Sequence, residues 1–471
     1  MIACLRRWLT ATAPLVVSLA AGALAPPALG AARPLAVSWT RGWPSPGTPV
    51  RYDRVGVIKV GSPRAHNVLV LEPGTSAGAA YFVPLARWIA ARSPRWQVWA
   101  IQRRETLLQD ESELGLAKAG RANATQLFDY YLGWLKAPGV ARHFKFIPNS
   151  SVAFAKRWGM SVAVHDLRVV IDAARRLRGH VVLGGHSLGG AVVTAYASWD
   201  FGGHPGADGL AGLVYIDGGS FGPESTASAR RALTALARPS ASPWLAFGGI
   251  AAPFAGLYNA TGSEAALLDP NGPSLGQESG LLNGLGLTPS VPVTNLGQYG
   301  YALNVATSPL VLIAAQAHLG RGLALTGSPP YGWDGGGALT PIMRFASMFA
   351  GAGVIGADGT EWYFPARLTI DSQAIDNGIS DGAQRALGLR ATLARRLPRS
   401  LRILAFGAAL TGPHRLLMRA TQALARRSHI PRHSLTLVND PSYAHNDPAG
   451  AYPRNAFFAH LIGFLRAVSR R

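Results

Sequence analysis

The chain has 471 residues, 48% hydrophobic and 15% charged, which excludes a disordered composition and leaves ample material for a packed core. Its net charge is +21, carried almost wholly by arginine. The arginines are spread along amphipathic stretches such as Arg175, Arg176 and Arg178, without a basic-aromatic module, so no nucleic-acid partner is expected. Contact with an anionic cell surface fits better, and an arginine-rich proteome explains the charge more simply still.

Residues 1–30 read as a signal peptide. Arg6 and Arg7 start it, an apolar run from Leu15 to Ala25 follows, and Ala28 and Gly30 suit cleavage. The run is short for a membrane span, and no later stretch is long and apolar enough for a transmembrane helix. The expected destination is secreted or periplasmic, within the cell envelope. The single cysteine, Cys4, lies in this segment, so the mature chain has no disulfide or thiol chemistry, and no close Cys/His cluster suggests a metal. Nothing in the pattern calls for a cofactor.

Strand-like runs then alternate with helix-like stretches. HNVLVLEPG (66–74) reads as a buried strand, AAYFVPLARWIAAR (79–92) as a helix and WQVWAIQRR (96–104) as a second strand. Residues 161–178 place Val164, Leu167, Val170, Ile171 and Ala174 on one helical face. HVVLGG (180–185) is a strand, residues 188–199 a helix, and GLVYID (212–217) a strand. The rhythm resumes with LRILAFG (401–407), a helix over 413–427, HSLTLVN (433–439) and a final amphipathic helix near 454–468. Alternation of this kind implies an α/β fold with a mostly parallel sheet flanked by helices. Residues 218–399 interrupt it and read as a large cap or lid insertion, with helical pieces near 226–238 and 339–350. The core is thus expected in two parts, 31–217 and 400–471. A smaller insertion, 105–158, contains the aromatic run FDYYLGWL (128–135), suited to packing.

Gly-x-Ser-x-Gly occurs five times, centred on Ser76, Ser187, Ser220, Ser274 and Ser380. A serine nucleophile needs a strand running into a sharp turn and then a helix, with glycines that let strand and helix pass closely. Ser274 and Ser380 lack a preceding strand. Gly222-Pro223 blocks an immediate helix after Ser220, and Glu72-Pro73 widens the turn before Ser76. Ser76 is the competitor, since strand and helix flank it too, but only one or two strands would precede it. Ser187, in GGHSLGGAVV, has HVVLGG running straight into it and a helix leaving it.

Here the chain resembles the α/β-hydrolase superfamily over roughly 50–217 and 400–471. The resemblance implies an eight-stranded sheet, a cap where the large insertion falls, and a triad in the order Ser, acid, His. It points to His445, in YAHNDP after the last strand, as the base that exchanges a proton with Ser187. His429, His433 and His460 are placed less well, and Asp447 reads as a turn cap. The acid departs from the pattern: LRILAFG is followed by AALTGP, without a carboxylate. Asp217, closing GLVYID, is the first choice. Asp371 in RLTIDSQ is the second, if that stretch is a strand re-entering the core, and Asp376 and Asp381 follow. By the same resemblance, the backbone N–H groups of Leu188 and Thr75 form the oxyanion hole. Gly351-Ala352-Gly353-Val354-Ile355-Gly356 fits a dinucleotide pattern but follows a helical stretch, so it is set aside.

The expected function is an exported serine hydrolase that cleaves a lipophilic carboxylic ester, an esterase or lipase-like enzyme. An envelope acyltransferase or a non-catalytic binding protein on the same fold are the alternatives.

Overall fold

The computed structural model describes residues 34–137, 139–221, 224–376 and 381–470. The signal segment with Cys4, Arg6 and Arg7, and Ser380, lie outside the described residues.

Eight strands form the main sheet: β1 (Ser38–Arg41), β2 (Arg54–Val60), β3 (Asn67–Glu72), β4 (Trp96–Gln102), β5 (Val181–His186), β6 (Gly212–Ile216), β7 (Arg402–Gly407) and β8 (Leu435–Asn439). Their spatial order is β1-β2-β4-β3-β5-β6-β7-β8. β2 runs antiparallel to both neighbours, and every other pairing from β4 onward is parallel. The eight strands implied by the resemblance are all present. β1 and β2 were not among the strands read from the sequence, although Val55, Val57, Ile58 and Val60 of β2 are buried.

Period-two alternation sends successive strand residues to opposite faces. Val68, Val70, Val181, Leu183, Leu213, Tyr215, Ile403 and Ala405 join one hydrophobic cluster. It also takes the buried stripes of α2 (Met160–Arg175), α3 (Leu188–Ser198) and α4 (Leu416–Arg427). Leu69, Leu71, Val182, Val214, Ile216, Leu404 and Phe406 face the other way, onto α1 (Val83–Arg92) and α5 (Ala456–Val468). Both faces are covered, as a largely parallel sheet requires.

The long segment between β6 and β7 contributes to both of these clusters. Its helix Ile342–Ala350 places Phe345 and Met348 beside α1, while Phe364 and Leu368 pack on the α2 side. A third cluster joins the two interruptions of the core: Leu127, Phe128, Tyr131, Phe144 and Trp158 meet Trp244, Leu257, Ala260 and Trp362. The aromatic run at 128–135 therefore packs, with Tyr131 edge-on to Trp362 at 5.6 Å.

RLTIDSQ is not a strand. Residues Ala366–Gln373 form a helix entered from Pro365, whose extended backbone (φ −71°, ψ 129°) supplies the cap position. The dinucleotide-like glycines lie outside any strand-to-helix turn. Gly351 is the left-handed C-cap of the helix before it, with φ 96°.

Candidate active site

β5 ends at His186, and Ser187 adopts φ 56°, ψ −128° before α3 begins at Leu188. A positive φ in a serine is strained, and the surroundings must hold it. They do so through close backbone contacts that only glycines permit. A Cβ on Gly185 would lie 2.3 Å from Gly189 O, one on Gly189 2.3 Å from Glu72 O, and one on Gly190 2.3 Å from Gly218 O. The first turn of α3 is thus wedged between the ends of β3 and β6. The Ser187 N–H still donates to Ile216 O at 3.0 Å, which extends the β5–β6 ladder to the tip of the turn.

The other described members of the motif set have different roles. Ser274 is a helix N-cap, its Oγ accepting from Gln277 N at 3.1 Å. Ser76 and Ser220 are in loops, with buried hydroxyls that have no partner among the described residues. Ser76 has a strained φ of 52°.

His445 and Asp217 form a buried pair, 1% and 0% exposed, with His445 Nδ1 at 2.7 Å from Asp217 Oδ2. Asp217 follows β6, with its own N–H on Phe406 O of β7 at 2.7 Å. Its carboxylate accepts four more hydrogen bonds, all from the loop after β7. These come from Ala408 N at 2.8 Å, Leu410 N at 3.1 Å, Thr411 N at 2.9 Å and Thr411 Oγ1 at 2.6 Å. The loop AALTGP, which lacks an acid of its own, instead supplies the donors for an acid one strand away. Burial pushes the Asp217 carboxyl up, but the His445 bond and charge and the Thr411 and Ala408 donors outweigh it. The pKa comes down to about 2, so Asp217 is a carboxylate at neutral pH. His445 Nδ1 then carries the proton, which leaves Nε2 as the free base nitrogen.

His445 is brought to the elbow by the residue preceding Ser187. His186 Nε2 donates to His445 O at 3.0 Å, and the two rings lie 4.4 Å apart. Burial, then the neighbouring His445, lowers the His186 pKa to about 3, so this ring is neutral and acts as a donor. His186 also stacks on Tyr81, whose hydroxyl donates to Asn446 Oδ1 at 2.9 Å. Asn446 Nδ2 reaches Ala314 O and Gln316 O in the 218–399 segment. Asp447 does not cap the turn that follows it; its carboxylate accepts from Ala444 N, three residues back, at 2.8 Å, and binds His318 Nδ1 at 2.6 Å and Thr340 Oγ1 at 2.7 Å. The loop bearing His445 is therefore anchored on one side to the elbow and on the other to the long insertion. His186, Tyr81 and Asn446 were not singled out from the sequence, although HNDP and the His of GGHSLGG lie directly beside residues that were.

Asp371, the alternative acid, is elsewhere. It pairs with Arg367 Nε at 2.6 Å and accepts from Met160 N at 2.9 Å. Its helix packs against α2, and nothing links it to His445. Asp381 caps a helix through Gln384 N at 2.7 Å. His429, His433 and His460 are exposed, as surface histidines should be.

The loop after β3 lies against the elbow: a Cβ on Gly74 would be 2.8 Å from Ser187 Cβ. The Thr75 and Leu188 N–H groups have no acceptor among the described residues. Nor is there, among those residues, a group of three or more His, Cys, Asp or Glu able to hold a metal. No helix among them is long and apolar enough to cross a membrane.

No family model and no curated protein matches the sequence. Among solved structures, the chain is similar to a candidate lipase from Sulfolobus solfataricus at 12% identity. That match covers 93% of this chain and 100% of the other, with a TM-score of 0.45. It is also similar to a thermophilic esterase from Thermogutta terrifontis, at 14% identity over 92% and 99% of the two chains, TM-score 0.38. A monoacylglycerol lipase from Paleococcus ferrophilus matches at 12% identity over 88% and 99%, TM-score 0.36. At that distance the neighbours say nothing of the reaction.

Proposed function

We propose that this chain, which has the α/β-hydrolase fold, is an exported serine hydrolase that cleaves carboxylic esters with a lipophilic portion. The observation that carries the reading is the buried Asp217–His445 pair, docked through the His445 carbonyl onto the residue beside the strained Ser187.

In this reading Ser187 Oγ attacks the ester carbonyl carbon and its proton passes to His445 Nε2. The new imidazolium is stabilised by Asp217, which stays ionised. The tetrahedral oxyanion accepts from the Leu188 and Thr75 N–H groups, with the α3 N-terminus adding a favourable dipole. Collapse expels the alcohol, which takes the proton from His445. A water molecule then repeats the sequence on the acyl-enzyme, releasing the carboxylic acid and restoring Ser187.

A lipophilic substrate is supported by Leu310 and Val311, 79% and 88% exposed. They begin the short helix Leu310–Ala315, whose Ala314 carbonyl binds Asn446 beside His445. Apolar side chains are thus exposed to water on the same short helix that contacts the loop bearing His445. Export rests on Arg6, Arg7 and the apolar run after them.

Fluorophosphonate labelling tests the nucleophile. The wild type and Ser76→Ala should take one label, and Ser187→Ala none. Labelling that survives in Ser187→Ala refutes the assignment.

A further inference from the structure

Arg103 follows β4 and is 5% exposed. Its guanidinium binds three carbonyls of the loop after β3. Nη1 donates to Pro73 O at 3.0 Å, and Nη2 donates to Gly74 O at 2.7 Å and Ala77 O at 3.1 Å. The charge is met by Glu72 at 2.7 Å, from the end of β3, and by Glu361 at 2.8 Å, from the long insertion. Glu361 also donates its own N–H to Ser76 O at 2.9 Å, so the loop is held from both chain segments.

In a planar trans peptide, the carbonyl of one residue and the N–H of the next point in opposite directions. Gly74 O lies on Arg103, so the Thr75 N–H is turned away from it. The same loop touches the elbow, the Gly74 Cβ position falling 2.8 Å from Ser187 Cβ. The Thr75 N–H has no acceptor among the described residues, the condition expected of a donor reserved for a charge that appears only during reaction. Only arginine presents a planar fork able to serve three carbonyls and two carboxylates at once; a lysine ammonium has three donors on one atom and reaches fewer of them.

We infer that Arg103 is a positioning residue. Its guanidinium sets the 73–77 loop so that the Thr75 N–H faces the oxyanion formed at Ser187, and Glu72 and Glu361 hold the guanidinium in place. The inference rests on the ester-hydrolase reading. It extends that reading to a side chain that never touches substrate. It also gives the insertion, through Glu361, a part in transition-state binding.

The test uses the full chain with p-nitrophenyl butyrate and with a trifluoromethyl ketone, whose adduct with Ser187 carries an oxyanion. Arg103→Lys should lower kcat about 10- to 100-fold, less than the roughly 100- to 1000-fold for removing an oxyanion donor outright. KM should stay within about threefold, and the ketone's inhibition constant should rise in parallel with the fall in kcat. If circular dichroism shows that Arg103→Lys has not folded, Glu361→Gln replaces it. That variant keeps an acceptor for Nε but replaces the carboxyl that Arg103 pairs with by an amide, and should lower kcat about three- to tenfold at unchanged KM. A folded variant whose kcat stays within about twofold of wild type, or whose KM rises while kcat and ketone affinity hold, overturns the inference and leaves the hydrolase reading intact. A wild-type chain that neither turns over esters nor takes a fluorophosphonate overturns both.

Discussion

Replacing Asp217 by Asn is the sharpest probe of the site, because it changes one atom in a group whose hydrogen bonds are all known. In the wild type, Oδ1 accepts from Ala408 N, Thr411 N and Thr411 Oγ1, while Oδ2 accepts from Leu410 N and His445 Nδ1. An asparagine keeps its oxygen where three donors converge, which leaves its NH2 facing His445. The imidazole must then present Nδ1 as acceptor and carry its proton on Nε2, the atom that has to receive the Ser187 proton. A wrong tautomer of this kind costs about ten-thousandfold in kcat in the serine-protease triad, or about 5.5 kcal/mol of barrier. A loss of similar size is expected here, with KM little changed. The fold should weaken too. A carboxyl held near 2 against an ordinary 3.8 contributes about 2 kcal/mol at neutral pH, and the NH2 also opposes the Leu410 N–H. Steady-state kinetics on a soluble ester and urea unfolding read both effects. A kcat within tenfold of wild type in folded Asp217→Asn would falsify the acid assignment. Asp371→Asn is the matched control, and its kcat should remain within about threefold.

Further outcomes follow from the same contacts. The folded pKa of Asp217 lies below its unfolded value, so its stabilisation is complete above about pH 4 and is lost as pH falls through about 2. Urea midpoints should drop over that window in the wild type and stay flatter in Asp217→Asn; parallel curves would contradict the shift. Burial, against the pull of Arg367, raises Asp371 to about 6, so the fold should lose stability as pH rises from about 4 to about 6. Asp371→Asn should abolish that slope, and an unaltered slope would assign it elsewhere. Gly190→Ala would force a Cβ to 2.3 Å from Gly218 O, a backbone contact with no side chain to yield. A loss of more than about 3 kcal/mol in chemical denaturation is expected, and a well-folded, fully active Gly190→Ala would mean that the elbow packs differently.

How much of this could be read from residues alone depends on where the information resides. The elbow was legible because its glycines and flanking periodicities are local, and the structure shows Gly185, Gly189 and Gly190 each against a backbone atom. Asp217 could be named because it closes a strand-like run, and His445 because it lies in YAHNDP just after the last one, where the resemblance puts the base. What justifies Asp217 could not be seen. Its partners are mainly backbone amides of residues 408–411, and an N–H group leaves no mark in composition. Asp371 was an attractive rival because Leu368, Thr369 and Ile370 resemble strand residues. Pro365 and packing on α2 made the stretch helical, tertiary contacts overriding a short β-like pattern. β1 escaped notice because its four residues are mostly exposed, and it owes its place to β2. Arg103 and Glu361 lie 258 positions apart, and nothing at either position announces the other.

The fan of amides around Asp217 ties the site to the closing of the sheet. β7 pairs with β6 across the long excursion between them, and the pairing sets Phe406 against Ile216. Were β7 to slip by one residue, Ala408, Leu410 and Thr411 would all miss the carboxylate, leaving an anion buried without donors. The charged aspartate therefore acts as a checkpoint on register: misassembled chains bear an electrostatic penalty where correctly threaded ones have a carboxylate supplied with donors. A chain arrested before β7 docks would have its tight Ser187 turn without the donors that hold Asp217 against His445.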